Sequence, residues 1–147
     1  MTTVKHILME KGHVVWSVPK HAAVKDALHL LADQKIGAVL VVEEGKILGI
    51  FSERDYVRLV ANADTLAQDT LVHEVMTHPI YFVTPDQKLE DCMSLMTAKH
   101  IRHLPVMENG KLVGLISIGD VVKWLIEDKV TTIKGLENYI LGRGFTQ

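Results

Sequence analysis

Two stretches of the chain set a hydroxyl and a carboxylate one helical turn apart behind a glycine: Gly49-Ile50-Phe51-Ser52-Glu53-Arg54-Asp55 and Gly114-Leu115-Ile116-Ser117-Ile118-Gly119-Asp120. A serine followed three residues later by an acid is a capping box, which satisfies orphan N–H groups at a helix start. The same arrangement suits a nucleotide. A helix N-terminus offers N–H donors and the positive end of a dipole to a phosphate. A carboxylate there can accept hydrogen bonds from a ribose diol, as an acidic residue does in dinucleotide folds. The residues alone leave both readings open. Arg54 adds a cation to the first copy, where the second has Gly119. Glycine in a first helical turn costs about 0.5–1 kcal/mol against alanine. Close approach of a ligand or a neighbouring backbone would account for it, and so would neutral drift.

A second constellation is Lys99-His100-Ile101-Arg102-His103-Leu104-Pro105-Val106. Its basic side chains fall at an expected helix end, just before a strand. Cations there complement the helix dipole. They could equally clamp a phosphate, with Arg102 as the fork donor and His103 assisting. The first copy has Lys35-Ile36-Gly37-Ala38 at this place, small where the second is basic, so two equivalent clefts are not expected. Eight histidines invite a metal reading, and His100-x-x-His103 and His73-x4-His78 have loosely suitable spacing. No second cluster completes a tetrahedral site, so no metal is expected. No nucleophile elbow, Walker loop or Gly-x-Gly-x-x-Gly occurs. No acid–base pair is placed for turnover, and the expectation is not an enzyme.

These residues are positioned by a repeat. Shifted by 65 residues, Val24–Arg58 lies on Leu89–Lys123 without a gap, pairing Asp26 with Asp91, Ile36 with Ile101, Val41 with Val106 and Gly49 with Gly114. A repeat fixes architecture before any local reading. Val24–Lys35 carries apolar residues at the spacing of an amphipathic helix, as does its counterpart from Leu89. Ala38–Val42 and Leu104–Met107 read as strands, returning as Ile47–Phe51 and Leu112–Ile116. Asn109-Gly110 is a hairpin signal, and Gly45 matches Gly110. Gly49 and Gly114 interrupt the return strands, which predicts a bulge or a close backbone approach. Helices then start near Ser52 and Ser117. Leading strands are expected at Val14–Val18 and Ile80–Thr84. Val4–Leu8 resembles Val72–Met76, with three extra residues after the first copy. Ala61–Asp69 is polar and reads as a linker. The last helix is expected to run toward Glu127, with a tail near Leu136–Leu141 that has no counterpart in the first copy and could cap the core or join a partner.

At 147 residues the chain is one compact domain or two half-size units sharing a core. Units of about 60 residues bury marginal apolar surface alone, so the halves are expected to pack on each other. Hydrophobic residues make up 48% of the chain, ample for a core. Sixteen basic against eighteen acidic residues leave no excess for nucleic acid. A single cysteine, Cys92, excludes an internal disulfide and fits a reducing compartment. No apolar run approaches membrane-spanning length, and the first residues lack a signal-peptide pattern, so a cytoplasmic protein is expected.

The duplicated pattern, with Ile36-Gly37-Ala38-Val39-Leu40-Val41-Val42, Gly49–Asp55 and Arg102-His103-Leu104-Pro105-Val106, resembles a tandem pair of CBS domains, the Bateman regulatory module. The resemblance runs from Val4 to Leu125 and looks closest to small bacterial stand-alone CBS pairs. It implies an α+β (α/β-like) fold of two pseudo-twofold-related β-α-β-β-α units, with clefts between their sheets. The units would span residues 1–62 and 70–126, with a tail over 127–147. It implies adenosine ligands: AMP, ADP, ATP, and in some members NAD(H) or S-adenosylmethionine. Asp55 and Asp120 would hold ribose hydroxyls. Ser52, Arg54, Ser117, Arg102 and His103 would help hold phosphate. Val15, Trp16, Ala38, Ile80, Tyr81 and Pro105 would border adenine. The implied role is a non-catalytic energy or redox sensor, a homodimer with an unidentified protein target. The competing expectation is a dimeric scaffold with empty or structurally filled clefts.

Overall fold

The computed structural model describes residues 2–62 and 69–140. The middle of the linker expected over Ala61–Asp69, and the end of the tail expected past Leu136, lie outside the described residues. The elements run α1 (Val4–Lys11), β1 (Ser17–Val18), α2 (Val24–Gln34), β2 (Ala38–Glu43), β3 (Lys46–Ser52) and α3 (Glu53–Asn62). They continue as α4 (Val72–Val75), α5 (Leu89–Lys99), β4 (His103–Glu108), β5 (Lys111–Ser117) and α6 (Ile118–Ile140). Two compact units result: Val14–Tyr81, and a split unit made of Met1–His13 with Phe82–Gln147.

In the Val14–Tyr81 unit β1 pairs parallel with β2, and β2 antiparallel with β3. Glu44 and Gly45 both take positive φ, 50° and 77°, which closes the hairpin as a primed turn. Val41 faces Gly49 while Val42 faces Ile47, so Leu48 is the extra residue of a bulge. Val18, Val24, Ala27, Leu31, Val39, Val41, Phe51 and Val72 form the core. Burying Phe51 contributes about 1.5–3 kcal/mol.

The split unit repeats this plan. β4 pairs antiparallel with β5 through a turn at Asn109 and Gly110, and the bulge recurs at Val113. Its buried side chains include Val4, Val83, Leu89, Cys92, Met96, Leu104, Val106 and Ile116. All but Val4 stand 65 residues after a core position of the other unit. Ala27 and Leu31 become Cys92 and Met96 without loss of burial.

The leading helices are carried by the opposite halves of the sequence. Val4 N–H donates to Gln87 O, Lys5 N–H to Pro85 O, and Leu89 N–H to Thr2 O. Val72 N–H donates to Ala22 O, His73 N–H to Lys20 O, and Val24 N–H to Thr70 O. These are the same three bonds. They fasten α1 beside α5 in the split unit and α4 beside α2 in the other. The likeness of Val4–Leu8 to Val72–Met76 therefore has a structural role.

Three expectations change. The leading strand at Val14–Val18 shrinks to Ser17–Val18. The one at Ile80–Thr84 is no strand; only Val83 bridges, to Val106. Pro105 supplies the reason: it stands where Leu40 N–H donates to Trp16 O, and proline has no N–H to repeat that bond. The last helix does not fade at Glu127 but runs unbroken to Ile140 through a proline-free stretch. Among the described residues, no helix is long and apolar enough to cross a membrane.

Candidate functional site

In both copies the Ser-x-x-Asp motif sits where a return strand becomes a helix. Ser52 ends β3 and Ser117 ends β5, and both form capping boxes. Ser52 N–H donates to Asp55 Oδ2 at 2.9 Å, and Asp55 N–H to Ser52 Oγ at 3.4 Å. Ser117 N–H donates to Asp120 Oδ2 at 2.9 Å, and Asp120 N–H to Ser117 Oγ at 3.1 Å. The next N–H of each helix is also held: Glu53 donates to Gly37 O, and Ile118 to Arg102 O. The backbone before β2 and β4 is thereby tied to the first turn of α3 and α6.

The two carboxylates differ in what else they meet. Asp55 is 5% exposed, the one buried acidic or basic side chain among the described residues. Its Oδ2 also accepts from Ser52 Oγ at 3.1 Å, and its Oδ1 accepts from Thr77 Oγ1 at 2.8 Å. Arg58, one turn along α3, brings Nη1 to 3.7 Å of Oδ1. A buried charge persists where hydrogen bonds and a cation replace water. Beside it opens a cavity of about 360 Å³ bordered by Asp55, Arg58, Leu59, Val75, Met76 and Thr77, within the size range of ligand pockets.

Asp120 is more open and is met by a lysine. Lys11 Nζ lies 2.7 Å from Asp120 Oδ2 and donates to Leu115 O at 3.0 Å. Partial burial pushes the Asp120 carboxyl up, but the hydrogen bonds from Lys11 and Ser117 and the Lys11 charge outweigh it and hold it below the usual carboxylate range. Nearby, Lys123 Nζ contacts Glu10 Oε1 at 2.6 Å, a second tie between α1 and α6. His13 Nδ1 lies 2.7 Å from Val113 O. A carbonyl only accepts, so Nδ1 carries the proton and satisfies the bulge residue.

The remaining candidates fall into place unevenly. Ala38 is the register partner of Ser52, and His103 of Ser117. Ala38, Ser52, Arg54 and Asp55 therefore gather at the start of α3, and Arg102, His103, Ser117 and Asp120 at the start of α6. Pro105 is buried within β4, opposite Leu115. Val15 and Trp16 lie on the chain entering β1, and Trp16 is 38% exposed. Ile80 and Tyr81 are half-buried and belong to no strand. A β-carbon at Gly119 would meet only Ser117 Oγ, at 3.6 Å, so no neighbouring backbone demands that glycine.

Sequence reasoning missed Lys11, Thr77 and Arg58. Lys11 ends α1 and Thr77 lies just past α4, and the mutual likeness of these two leading helices was the available signal. Arg58 lies one helical turn past Asp55. Among the described residues, no three histidine, cysteine, aspartate or glutamate side chains gather as metal ligands would.

The family model of the CBS domain matches residues 4–62 and again residues 72–127. The CBS domain-containing protein CBSX3, mitochondrial, of Arabidopsis thaliana is 32% identical over 151 residues, spanning 96% of this chain and 73% of that protein. A protein with CBS domains from Burkholderia ambifaria, ascribed to signal transduction, is 46% identical with a TM-score of 0.81, covering 86% of this chain and 96% of its own. The CBS domain pair of protein MJ0100, solved with 5′-methylthioadenosine and S-adenosyl-L-methionine, shares the fold at 21% identity and a TM-score of 0.75, over 87% of this chain and 98% of that one.

Proposed function

The chain belongs to the CBS-domain family as a tandem pair, and from that premise we propose that it is a non-catalytic sensor of adenine nucleotides. The observation that carries the reading is the twofold occurrence of one geometry: a serine and an aspartate locked in a capping box at a strand-to-helix junction. Asp55 and Asp120 would accept from the ribose hydroxyls. Ser52 and Arg54 at one junction, and Ser117, Arg102 and His103 at the other, would face phosphate. Ala38 and Pro105, with Val15, Trp16, Ile80 and Tyr81, would supply the apolar border for adenine. AMP, ADP, ATP and NAD(H) share this adenosine portion, so the sensed quantity is energy charge or redox state. That the MJ0100 pair was solved with two adenosine compounds supports the class of ligand.

Ligand binding would act by shifting populations, in proportion to its differential affinity for two states of the protein. The test is a thermal-shift panel of AMP, ADP, ATP, NAD⁺, NADH and S-adenosylmethionine. A ligand at a hundred times its dissociation constant adds about 2.7 kcal/mol of stability. A selective shift that Asp55→Ala or Asp120→Ala reduces at least tenfold in affinity supports the reading. Unchanged isotherms in both variants defeat the site assignment.

One observation favours the scaffold reading as a second role. Val122, Ile126, Val130, Ile133, Leu136 and Ile140 are all exposed along α6. Their spacing of three and four residues makes one apolar stripe. A stripe of this kind fits the same stripe on a second copy, giving a homodimer. Ile133→Glu should then lower the mass measured by light scattering, and an unaltered mass would remove the stripe from the assembly.

A further inference from the structure

We propose that Lys11 makes the Asp120 site selective for ligands that carry their own anion: a nucleoside phosphate enters by taking over the lysine ammonium, and a neutral nucleoside does not. The proposal rests on the sensor reading, and deepens it by assigning Lys11 as the residue that sets ligand charge.

Asp120 Oδ2 accepts from Ser117 N–H at 2.9 Å and from Lys11 Nζ at 2.7 Å. A carboxylate oxygen offers about two acceptor sites. Ser117 N–H is fixed by the capping box, so a ribose diol that engages both carboxylate oxygens displaces the ammonium from Oδ2.

Displacement needs no backbone motion. Lys11 is the last residue of α1, and Gly12 beyond it has φ of 93°, a conformation glycine adopts without strain. α1 stays anchored without the Lys11 contact. Glu10 pairs with Lys123, Leu8 fills the notch over Gly114, and Val4 and Lys5 are hydrogen-bonded to the chain before α5. The Lys11 side chain is 42% exposed and sits on a flexible four-carbon stem.

What happens to the displaced charge decides the selectivity. A neutral nucleoside breaks the charge-assisted bond and leaves the ammonium with only the Leu115 carbonyl and water. A nucleotide offers phosphate oxygens within reach of the same stem, so an ion pair is exchanged rather than lost. The other copy lacks this device. Asp55 is met by the Thr77 hydroxyl and, at 3.7 Å, by Arg58 on its own helix. The two copies thus ask different things of a ligand, although their Ser-x-x-Asp geometry is alike.

Titration calorimetry of the full chain with adenosine and with AMP, in wild type and Lys11→Met, tests this. Lys11→Met should raise adenosine affinity and lower AMP affinity, so that the AMP-to-adenosine preference falls about tenfold, the worth of one charge-assisted hydrogen bond. A site merely loosened by the substitution would weaken both ligands together, and that result overturns the proposal. The change should also vanish in an Asp120→Ala background, where there is no carboxylate to unmask; persistence there overturns it as well. Binding of both ligands with an unchanged ratio removes the role of Lys11 and leaves the sensor reading standing. Binding of neither ligand to wild type ends both.

Discussion

Gly114 lies beneath Leu8: a β-carbon on the glycine would come within 2.5 Å of Leu8 Cδ2. Gly49 stands in the same relation to Met76, 2.6 Å from its Sδ, but also 2.8 Å from the backbone oxygen of Thr77. Each glycine is the notch into which a leading helix presses its side chain. A flexible leucine or methionine can turn aside; a carbonyl that also accepts from Ile50 N–H cannot. Gly114→Ala should therefore cost about 1–3 kcal/mol by overpacking, and Gly49→Ala more. Gly119→Ala, whose β-carbon would make only an ordinary contact with Ser117 Oγ, should be neutral or stabilise α6 by up to about 1 kcal/mol. Denaturant melts of the three variants check the ranking. Equal losses at Gly49 and Gly119 would contradict it.

The hydroxyl of Thr77 is a further test of the buried carboxylate. Thr77→Val keeps the shape and removes the donor to Asp55 Oδ1. The loss expected is about 1–3 kcal/mol, the cost of leaving a buried acceptor short of a partner. Thr77→Ser, which restores the hydroxyl, should recover most of it. Equilibrium unfolding of the pair decides; a serine variant as unstable as the valine one would mean that the methyl group matters and the hydrogen bond does not.

How much of this was legible in the sequence depends on whether the signal was local or paired. The hairpins, the glycine notches, both capping boxes and the core at 65-residue spacing follow from periodicity and from repetition, which are local properties read twice. Pro105 could have warned that the second leading strand would fail, because the repeat places it on a position whose N–H is used. Lys11 and Thr77 were hidden for a different reason. They approach the aspartates from segments 109 and 22 residues away, and no spacing rule encodes such a meeting. The length of α6 was under-read because the stretch after Glu127 has no counterpart in the first copy against which to measure it.

The ion pair of Lys11 and Asp120 gives the protein a pH signature. Asp120 is held below its ordinary value of 3.8 in the folded chain, so the pair's contribution is complete above that value. It is lost as pH falls from there through the lowered folded value, since the unfolded chain then binds the extra proton. Asp120→Asn and Lys11→Met should each flatten the fall in stability below about pH 4. Thermal melts between neutral pH and pH 3 read this. An acid limb as steep in both variants as in wild type would show that other carboxylates govern it.

Cys92 provides a probe of whether α5 stays docked. It is fully buried, and burial first, then the neighbouring Asp91 charge, raises its thiol to about 11. At pH 8 only about one molecule in a thousand would carry the reactive thiolate even if the sulfur were reachable. Labelling by an aromatic disulfide should therefore be slow in native buffer and should accelerate with denaturant, because only opened molecules react. The rate then measures how often α5 leaves the packed interior of the split unit. Adding a nucleotide that binds at the start of α6 should slow it further, since a ligand that prefers the closed state depletes the open one. Native labelling as fast as that of the unfolded chain would mean that the Leu89, Cys92 and Met96 face of α5 is not the packed surface described.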